Sequence, residues 1–340
     1  MKKIIRNTVL GIAAALVAMG GFIYYKINSP AFDIRTASYV YIYEKNDYAD
    51  LIDQLKTSVH LKDVDLFVRL AQRMKYPENI KVGRYEVTPQ TTYLGAIRML
   101  RSGSQAPVKL TFNNIRLKED FAERIGEQMM FDSDTLLNRL NDPEETASLG
   151  FDVRTILTMF IPNTYEIYWN VPVDKFLIRM KKEYDHFWTD QRREKAKAMN
   201  LSPVEVSILA SIVEEESALP SEYPIIAGLY FNRLRKGMFL QADPTVKFAV
   251  GDLSLKRITN RHLLVESPYN TYQNPGLPPG PIRIPSIKGI DAVLNYREHN
   301  YLYMCAKDDF SGGHNFAATL TEHSQNAQKY QAALNRNHIW

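Results

Sequence analysis

The sequence predicts an α+β protein in three parts: an N-terminal transmembrane helix, a small strand-helix-helix-strand unit, and a larger mixed α/β domain. Three observations carry this expectation. An uncharged run of 19 residues, Asn7 to Tyr25, lies between Arg6 and Lys26. Segments 38–45 (SYVYIYEK) and 82–88 (VGRYEVT) have strand character and enclose two segments with helical spacing. From about residue 105 helical patterns dominate to about 218, and beyond 238 proline and glycine cluster among short β-type runs. A chain of 340 residues can bury a substantial core in two or three domains.

At about 1.5 Å per residue the Asn7–Tyr25 run nearly spans the ~30 Å hydrocarbon layer. Lys2, Lys3 and Arg6 precede it, which places the N-terminus in the cytoplasm by the positive-inside tendency, and Tyr24 and Tyr25 fall where an interfacial belt would lie. A cleaved signal peptide is the competing reading; the length of the run and the lack of a clear A-x-A site favour a retained anchor over residues 1–27. The rest of the chain is then expected outside the cytoplasmic membrane.

After a linker at 28–36, the strands at 38–45 and 82–88 flank helices expected from Leu51, Ile52 and Leu55 and from Leu66, Leu70 and Met74. A helix over TTYLGAIRMLRSG closes at Gly103. A strand at VKLTF and a helix at LKEDFAERIGEQM follow, and near the C-terminus a strand at YLYMCA precedes a helix over about 320–335.

Charge excludes one class of function. Setting aside Lys2, Lys3, Arg6 and Lys26 leaves 38 bases against 38 acids, so the body is neutral, and a nucleic-acid binder would need a basic excess. Cys305 is the only cysteine, which excludes intrachain disulfides, CxxC redox sites and Cys-rich zinc sites; a buried apolar role is expected for it. The seven histidines, from His60 to His338, form no HExxH or paired ligand spacing, and neither a G-x-S-x-G elbow nor a phosphate-binding glycine loop is found.

The segment LSPVEVSILASIVEEES opens as a helix should. Ser202 can cap it, Pro203 takes the first helical position and Glu205 completes a capping box. With the phase so fixed, Val206, Leu209, Ile212 and Val213 form an apolar stripe. Glu216 falls inside it, while Glu214 and Glu215 fall on its flanks and are expected to be a solvated face. A carboxyl on an apolar face keeps its proton to higher pH and suits a general acid for a glycosidic oxygen; an acid at a helix end that reaches solvent is the plainer alternative. Asp243 in QADPT is either a second carboxylate of a hydrolase or a turn opener. His314, in SGGHNF, either lines a cleft or bonds the backbone of its loop. Tyr165, Tyr168 and Trp169 can offer stacking faces to sugars or serve as packing.

Four ordered runs, ASIVEEES (210–217), FNRLRKGMFLQADPTVKFAVG (231–251), PYNTYQNPGLPPGPIRIPS (268–286) and GGHNF (312–316), resemble the YceG-like family. The resemblance implies a LysM-like subdomain over 36–104 and a YceG-like catalytic domain with a lysozyme-like catalytic helix over 105–340. Glu216 matches the last acid of the family's E-x-E-[S/T] motif and would be catalytic, with Ser217 supporting it by hydrogen bonding. Asn232, Gln241, Asp243, Thr245, Asn270, Thr271 and Tyr272 match positions expected at the substrate cleft, where His314 and Tyr165 are further candidates. IPNTY (161–165) departs from the family's F-P-D-T-Y, with Asn163 in place of Asp, so no acid–base role is carried to that position.

The implied activity is endolytic lytic transglycosylation of peptidoglycan at the cytoplasmic membrane, with cell-wall synthases as further partners. No metal or organic cofactor is implied. A lysozyme-type hydrolase using Glu216 and Asp243, and a non-catalytic peptidoglycan-binding scaffold, are the alternatives from other classes.

Overall fold

The computed structural model describes residues 2–255 and 257–337; Met1, at the expected cytoplasmic tip, and His338 lie outside the described residues. The architecture is mixed α+β, with two compact units.

The first unit takes the chain up to Lys109 together with residues 128–130 and 165–171. It begins with α1 (Lys2–Ile27), which is long and apolar enough to cross a membrane. Ile5, Leu10, Leu16 and Phe22 on α1 are all exposed, so its apolar surface is uncovered by the protein itself. Then come β1 (Ser38–Ile42), α2 (Tyr48–Thr57), α3 (Val64–Arg73), β2 (Gly83–Val87) and α4 (Tyr93–Ser102). β1 and β2 pair antiparallel, from Ser38 opposite Val87 to Ile42 opposite Gly83.

The first strand stops earlier than its β-forming residues suggest. The Tyr43 N–H donates to Asn46 Oδ1 at 2.7 Å, which turns the chain, and Asp47 then caps α2 through a reciprocal bond pair with Asp50. Thr92 caps α4, and Gly103 closes it at φ +74°, a left-handed conformation that favours glycine. Val40, Ile42, Leu51, Leu55, Phe67 and Tyr85 fill the core between sheet and helices. Trp169 is buried edge-on against Tyr41 and Tyr43, with ring centroids 5.0 and 4.8 Å apart, so it serves as packing. Tyr165 is buried too, whereas Tyr168 is exposed.

The remainder runs β3 (Val108–Thr111), α5 (Lys118–Gly126), α6 (Ser133–Asn141), α7 (Pro143–Ser148), a 3-10 turn (Ile156–Met159), β4 (Thr164–Ile167), α8 (Val173–Phe187), α9 (Asp190–Ala198) and α10 (Pro203–Glu216). After these come α11 (Tyr223–Arg235), α12 (Asp243–Val250), α13 (Asn260–Leu263), α14 (Ile287–Leu294), β5 (Tyr303–Ala306), β6 (His314–Ala317) and α15 (Leu320–Arg336). β3 pairs with β4, and β5 with β6 antiparallel from Tyr303 opposite Ala317 to Ala306 opposite His314. Beyond residue 238 the sequence predicts short β-type runs and one final helix, which is α15; α12, α13 and α14 also lie there, too short at 8, 4 and 8 residues to show a period.

At the centre of the second unit stands α10, packed against α11, α12 and α14. Its start is as expected: the Glu205 N–H donates to Ser202 Oγ, Glu205 accepts from the Ser202 N–H at 2.7 Å, and Pro203 holds the first turn. The expected single stripe is not what is found. Every residue from Val206 to Glu214 is buried, the polar Ser207, Ser211 and Glu214 included, so over that stretch α10 is a core helix covered on all sides.

Candidate active site

The last turn of α10 carries Glu214, Glu215 and Glu216 where the helix dipole disfavours negative charge. The first two are not solvated, contrary to the expectation from helix phase. Glu214 is buried and accepts from the backbone N–H of Ser286 at 3.0 Å and from its hydroxyl, with Arg283 Nε 3.8 Å away. The approach is close enough that a Cβ on Gly289, three residues into α14, would sit 2.6 Å from the Glu214 carboxyl carbon. Glu215 receives Arg116 through both Nε and Nη2 and accepts from Arg283 Nη1 at 2.7 Å. The phase argument missed this because the partners come from segments about 70 to 100 residues away in sequence.

Among the described residues Glu216 has no such cation in contact. The Tyr230 hydroxyl, from α11, donates to Glu216 Oε1. Burial pushes the carboxyl up, the Tyr230 hydrogen bond pulls it down, and the nearby charge of Asp243 pushes it up again; Arg233 and Lys247 only partly offset this. Burial wins, and the pKa rises from 4.5 to about 7. Burial first, and then the neighbouring Glu216, push the Tyr230 hydroxyl far above its ordinary range, so it remains a donor at any physiological pH.

Glu216 opens onto a cleft of about 200 Å³ whose wall includes Tyr230, Arg233, Gln241, Asp243, Tyr272 and His314. Asp243 begins α12, where the helix N-terminus favours its charge, so this acid before proline opens a helix rather than a simple turn. The Tyr272 hydroxyl donates to Asp243 Oδ1 at 2.6 Å. Gln241 holds a left-handed backbone at φ +52°, rare for a non-glycine residue. Its Oε1 accepts from Arg233 Nη1 at 3.2 Å, and its N–H donates to the Thr271 carbonyl. Cys305 also lines the cleft and is only partly buried, which corrects its expected place in the apolar core.

The structure thus brings together five of the residues singled out in the sequence: Glu216, Gln241, Asp243, Tyr272 and His314. Others act behind the wall. The Thr271 and Thr245 hydroxyls bond each other at 2.8 Å, and Thr271 Oγ1 accepts from the Ala242 N–H, which fixes the start of α12. Asn270 donates to the carbonyls of Leu263 and Val265 while its Oδ1 accepts from the Tyr272 N–H. Asn232 donates to the carbonyls of His299 and Tyr301 and so ties α11 to that segment. Ser217 is buried beside Glu216, but its hydroxyl donates to Glu222 at 2.9 Å rather than to Glu216. Tyr165 belongs to the first unit.

Three residues were not singled out in the sequence: Tyr230, Arg233 and Glu222. Tyr230 and Arg233 are three apart on α11 and share a face, a spacing readable once α11 is known. Glu222 bonds His314 across 92 residues, for which the sequence offers no signal.

A carboxyl that holds its proton to about neutral pH, set in a cleft with hydroxyl and amide groups, Arg233 and one paired aspartate on an α+β fold, has the attributes that general acid–base chemistry requires. The chain belongs to the YceG-like family, whose model matches residues 40–329. It is 34% identical over 159 residues to a Bacillus subtilis protein named endolytic murein transglycosylase, across 47% of this chain and 43% of that one. A Streptococcus pneumoniae protein of the same name is 32% identical over 162 residues, across 46% of this chain and 28% of its own length. The matches therefore span less than half the length of these curated relatives. A crystal structure of a yceG-like protein from Listeria monocytogenes superposes with a TM-score of 0.58 at 27% identity, covering 85% of this chain and 98% of that one.

Proposed function

We propose that this protein is an endolytic lytic transglycosylase of peptidoglycan. It cleaves the β-1,4 bond between N-acetylmuramic acid and N-acetylglucosamine, leaves 1,6-anhydro-muramoyl ends and so terminates glycan elongation. The observation that carries the reading is Glu216, a carboxyl raised to about 7 in a cleft at the end of a buried helix. The names of the family relatives support it.

In this reading protonated Glu216 gives its proton to the leaving glycosidic oxygen as the C1–O bond breaks. The resulting carboxylate takes the proton of the muramoyl C6 hydroxyl as that oxygen bonds to C1. One carboxyl serves both steps because the nucleophile is part of the substrate, which also removes much of the entropic barrier. Tyr230 donates to Glu216 in either state, so the charge that forms between the steps is held by a hydrogen bond already in place. Gln241, Tyr272 and His314 offer the glycan polar groups along the wall.

The remaining parts fit this work. α1 anchors the chain in the cytoplasmic membrane with its N-terminus inside, residues 36–104 form a LysM-like glycan-binding subdomain, and residues 105–340 form the catalytic domain with α10 as its lysozyme-like helix. The catalytic domain lies on the outer face, where glycan strands and cell-wall synthases are found.

One observation favours a second reading. Asp243 shares the cleft with Glu216 and is close enough to raise its pKa, so a muramidase with Asp243 activating water is chemically possible. Mass spectrometry of fragments released from purified peptidoglycan separates the two. Anhydro-muramoyl ends from the wild type and none from Glu216→Gln are expected. Reducing ends, lost in Asp243→Asn, would transfer the proposal to the hydrolase. No fragments from a folded wild type would leave the scaffold.

A further inference from the structure

Glu222 stands just before α11 and is nearly buried, yet it takes no part in the chemistry proposed for Glu216. Its carboxylate collects three donors. Oε1 accepts the backbone N–H of His314 at 2.7 Å, and Oε2 accepts from the Ser217 hydroxyl at 2.9 Å and from His314 Nδ1 at 2.8 Å. Ser217 is itself oriented, since its oxygen accepts the N–H of Leu219 at 3.1 Å and so turns its hydrogen toward Glu222. Burial alone would raise the Glu222 carboxyl, but the hydrogen bonds from His314 and Ser217 outweigh it and hold it below its ordinary value. Glu222 is therefore ionised and can only accept.

That condition fixes the imidazole. A nitrogen facing an acceptor-only carboxylate at 2.8 Å must carry the hydrogen, so the Nδ1 of His314 is protonated. The other nitrogen belongs to a ring that lines the same cleft as Glu216. Gly313 makes the arrangement possible: a Cβ there would lie 3.0 Å from Glu222 Oε1, pressing on the carboxylate that holds the next residue.

We infer that Glu222 is a positioning residue: with Ser217 it locks His314 as the Nδ1–H tautomer and presents Nε2 to the cleft as an acceptor for a sugar hydroxyl beside Glu216. The logic is that of a base oriented by a third group, used here to bind and aim a hydroxyl. The sugar comes from the transglycosylase reading; the tautomer does not depend on it.

The test uses the full chain in detergent with 15N-labelled histidine, the His314 signals being assigned by their loss in His314→Phe. Long-range 1H–15N correlation at neutral pH should show the Nδ1–H tautomer in the wild type and lose that pattern in Glu222→Gln. An Nε2–H tautomer or a doubly protonated ring in the wild type would overturn the inference, whatever reaction the enzyme performs. The acceptor role is read from affinity for peptide-free glycan strands in a non-cleaving Glu216→Gln background. Adding His314→Phe or Glu222→Gln should weaken binding about five- to tenfold, the scale of one hydrogen bond. Unchanged affinity with the tautomer confirmed would retain the lock and remove the hydroxyl contact. Absence of glycan binding by the Glu216→Gln protein would instead defeat the substrate reading, and with it that contact.

Discussion

Glu214 and Glu215 stand only two and one residues before Glu216 along α10, yet they live under opposite electrostatics. The first two are held by Arg283, Arg116 and the N-terminus of α14, so their charges are compensated within the unit. Glu216 has a phenol for a partner and a second carboxylate nearby, so its charge is not compensated and the proton stays on. Three identical side chains in a row thus divide into two that tie the site together and one that can give up a proton. What separates them is the chemistry each meets across the fold, which helix phase alone does not determine.

That division can be broken from either end. Glu216→Gln keeps shape and removes the proton donor, so the cleavage rate should fall between about a hundred- and ten-thousand-fold, the span of general acid–base contributions. A variant with wild-type turnover in a glycan-release assay would end the assignment. Arg283→Met acts on the compensated side. Arg283 is 11% exposed and serves both Glu214 and Glu215, so its removal should cost about 3–5 kcal/mol of stability by stranding buried carboxylates. Chemical denaturation at pH 7 measures this, and a loss under 1 kcal/mol would mean that Arg116 and Ser286 suffice.

The uncompensated side predicts a gain in stability where activity is lost. The native state keeps the Glu216 proton up to about pH 7, whereas an unfolded chain releases it near 4.5. Across that window the native state binds more protons, so this group makes stability fall as pH rises from 4.5 to 7, and it has no effect below 4.5. The full penalty above pH 7 is about 3–4 kcal/mol, from roughly 1.4 kcal/mol per pKa unit over the rise from 4.5 to about 7. Glu216→Gln should therefore be more stable than the wild type at pH 8 by up to that amount and nearly equal to it at pH 4.5. Equal denaturation midpoints at pH 8 would show that Glu216 ionises in the native state at little cost.

The sequence made the start of α10 legible because capping is local: Ser202, Pro203 and Glu205 act within one turn. It also pointed to Glu216, though the stripe used to reach it does not exist as a single face. The β1–α2–α3–β2 order was readable for the same reason, each element having its own period or cap. What could not be read was every fact that joins distant segments. The ion pairs of Glu214 and Glu215, the Tyr230 hydroxyl on Glu216 and the Glu222–His314 bond each need two segments to meet. The short helices α12 to α14 escaped because elements of 8, 4 and 8 residues are too short to show a period, which also hid why Asp243 lines the site from a helix start.

The smallest expected effect sharpens the comparison most, because it asks what the Tyr230 partner of Glu216 contributes. The Tyr230 hydroxyl donates to the carboxyl and is a downward influence on its pKa, set against burial and Asp243. If protonated Glu216 starts the reaction, kcat/KM should decline as pH rises through about 7 in the wild type. Tyr230→Phe removes the donor and nothing else from the buried ring, so the carboxylate becomes still harder to form and the pKa rises. A hydrogen bond worth about 1 kcal/mol corresponds to roughly 0.7 of a pH unit, and the alkaline limb should move up by about that much. The rate at low pH should drop modestly, because the charge forming on Glu216 after proton transfer has lost its hydrogen bond. A limb that moves down, or stays in place while the rate falls, would show that the tyrosine serves the substrate and leaves the carboxyl's ionisation to burial alone.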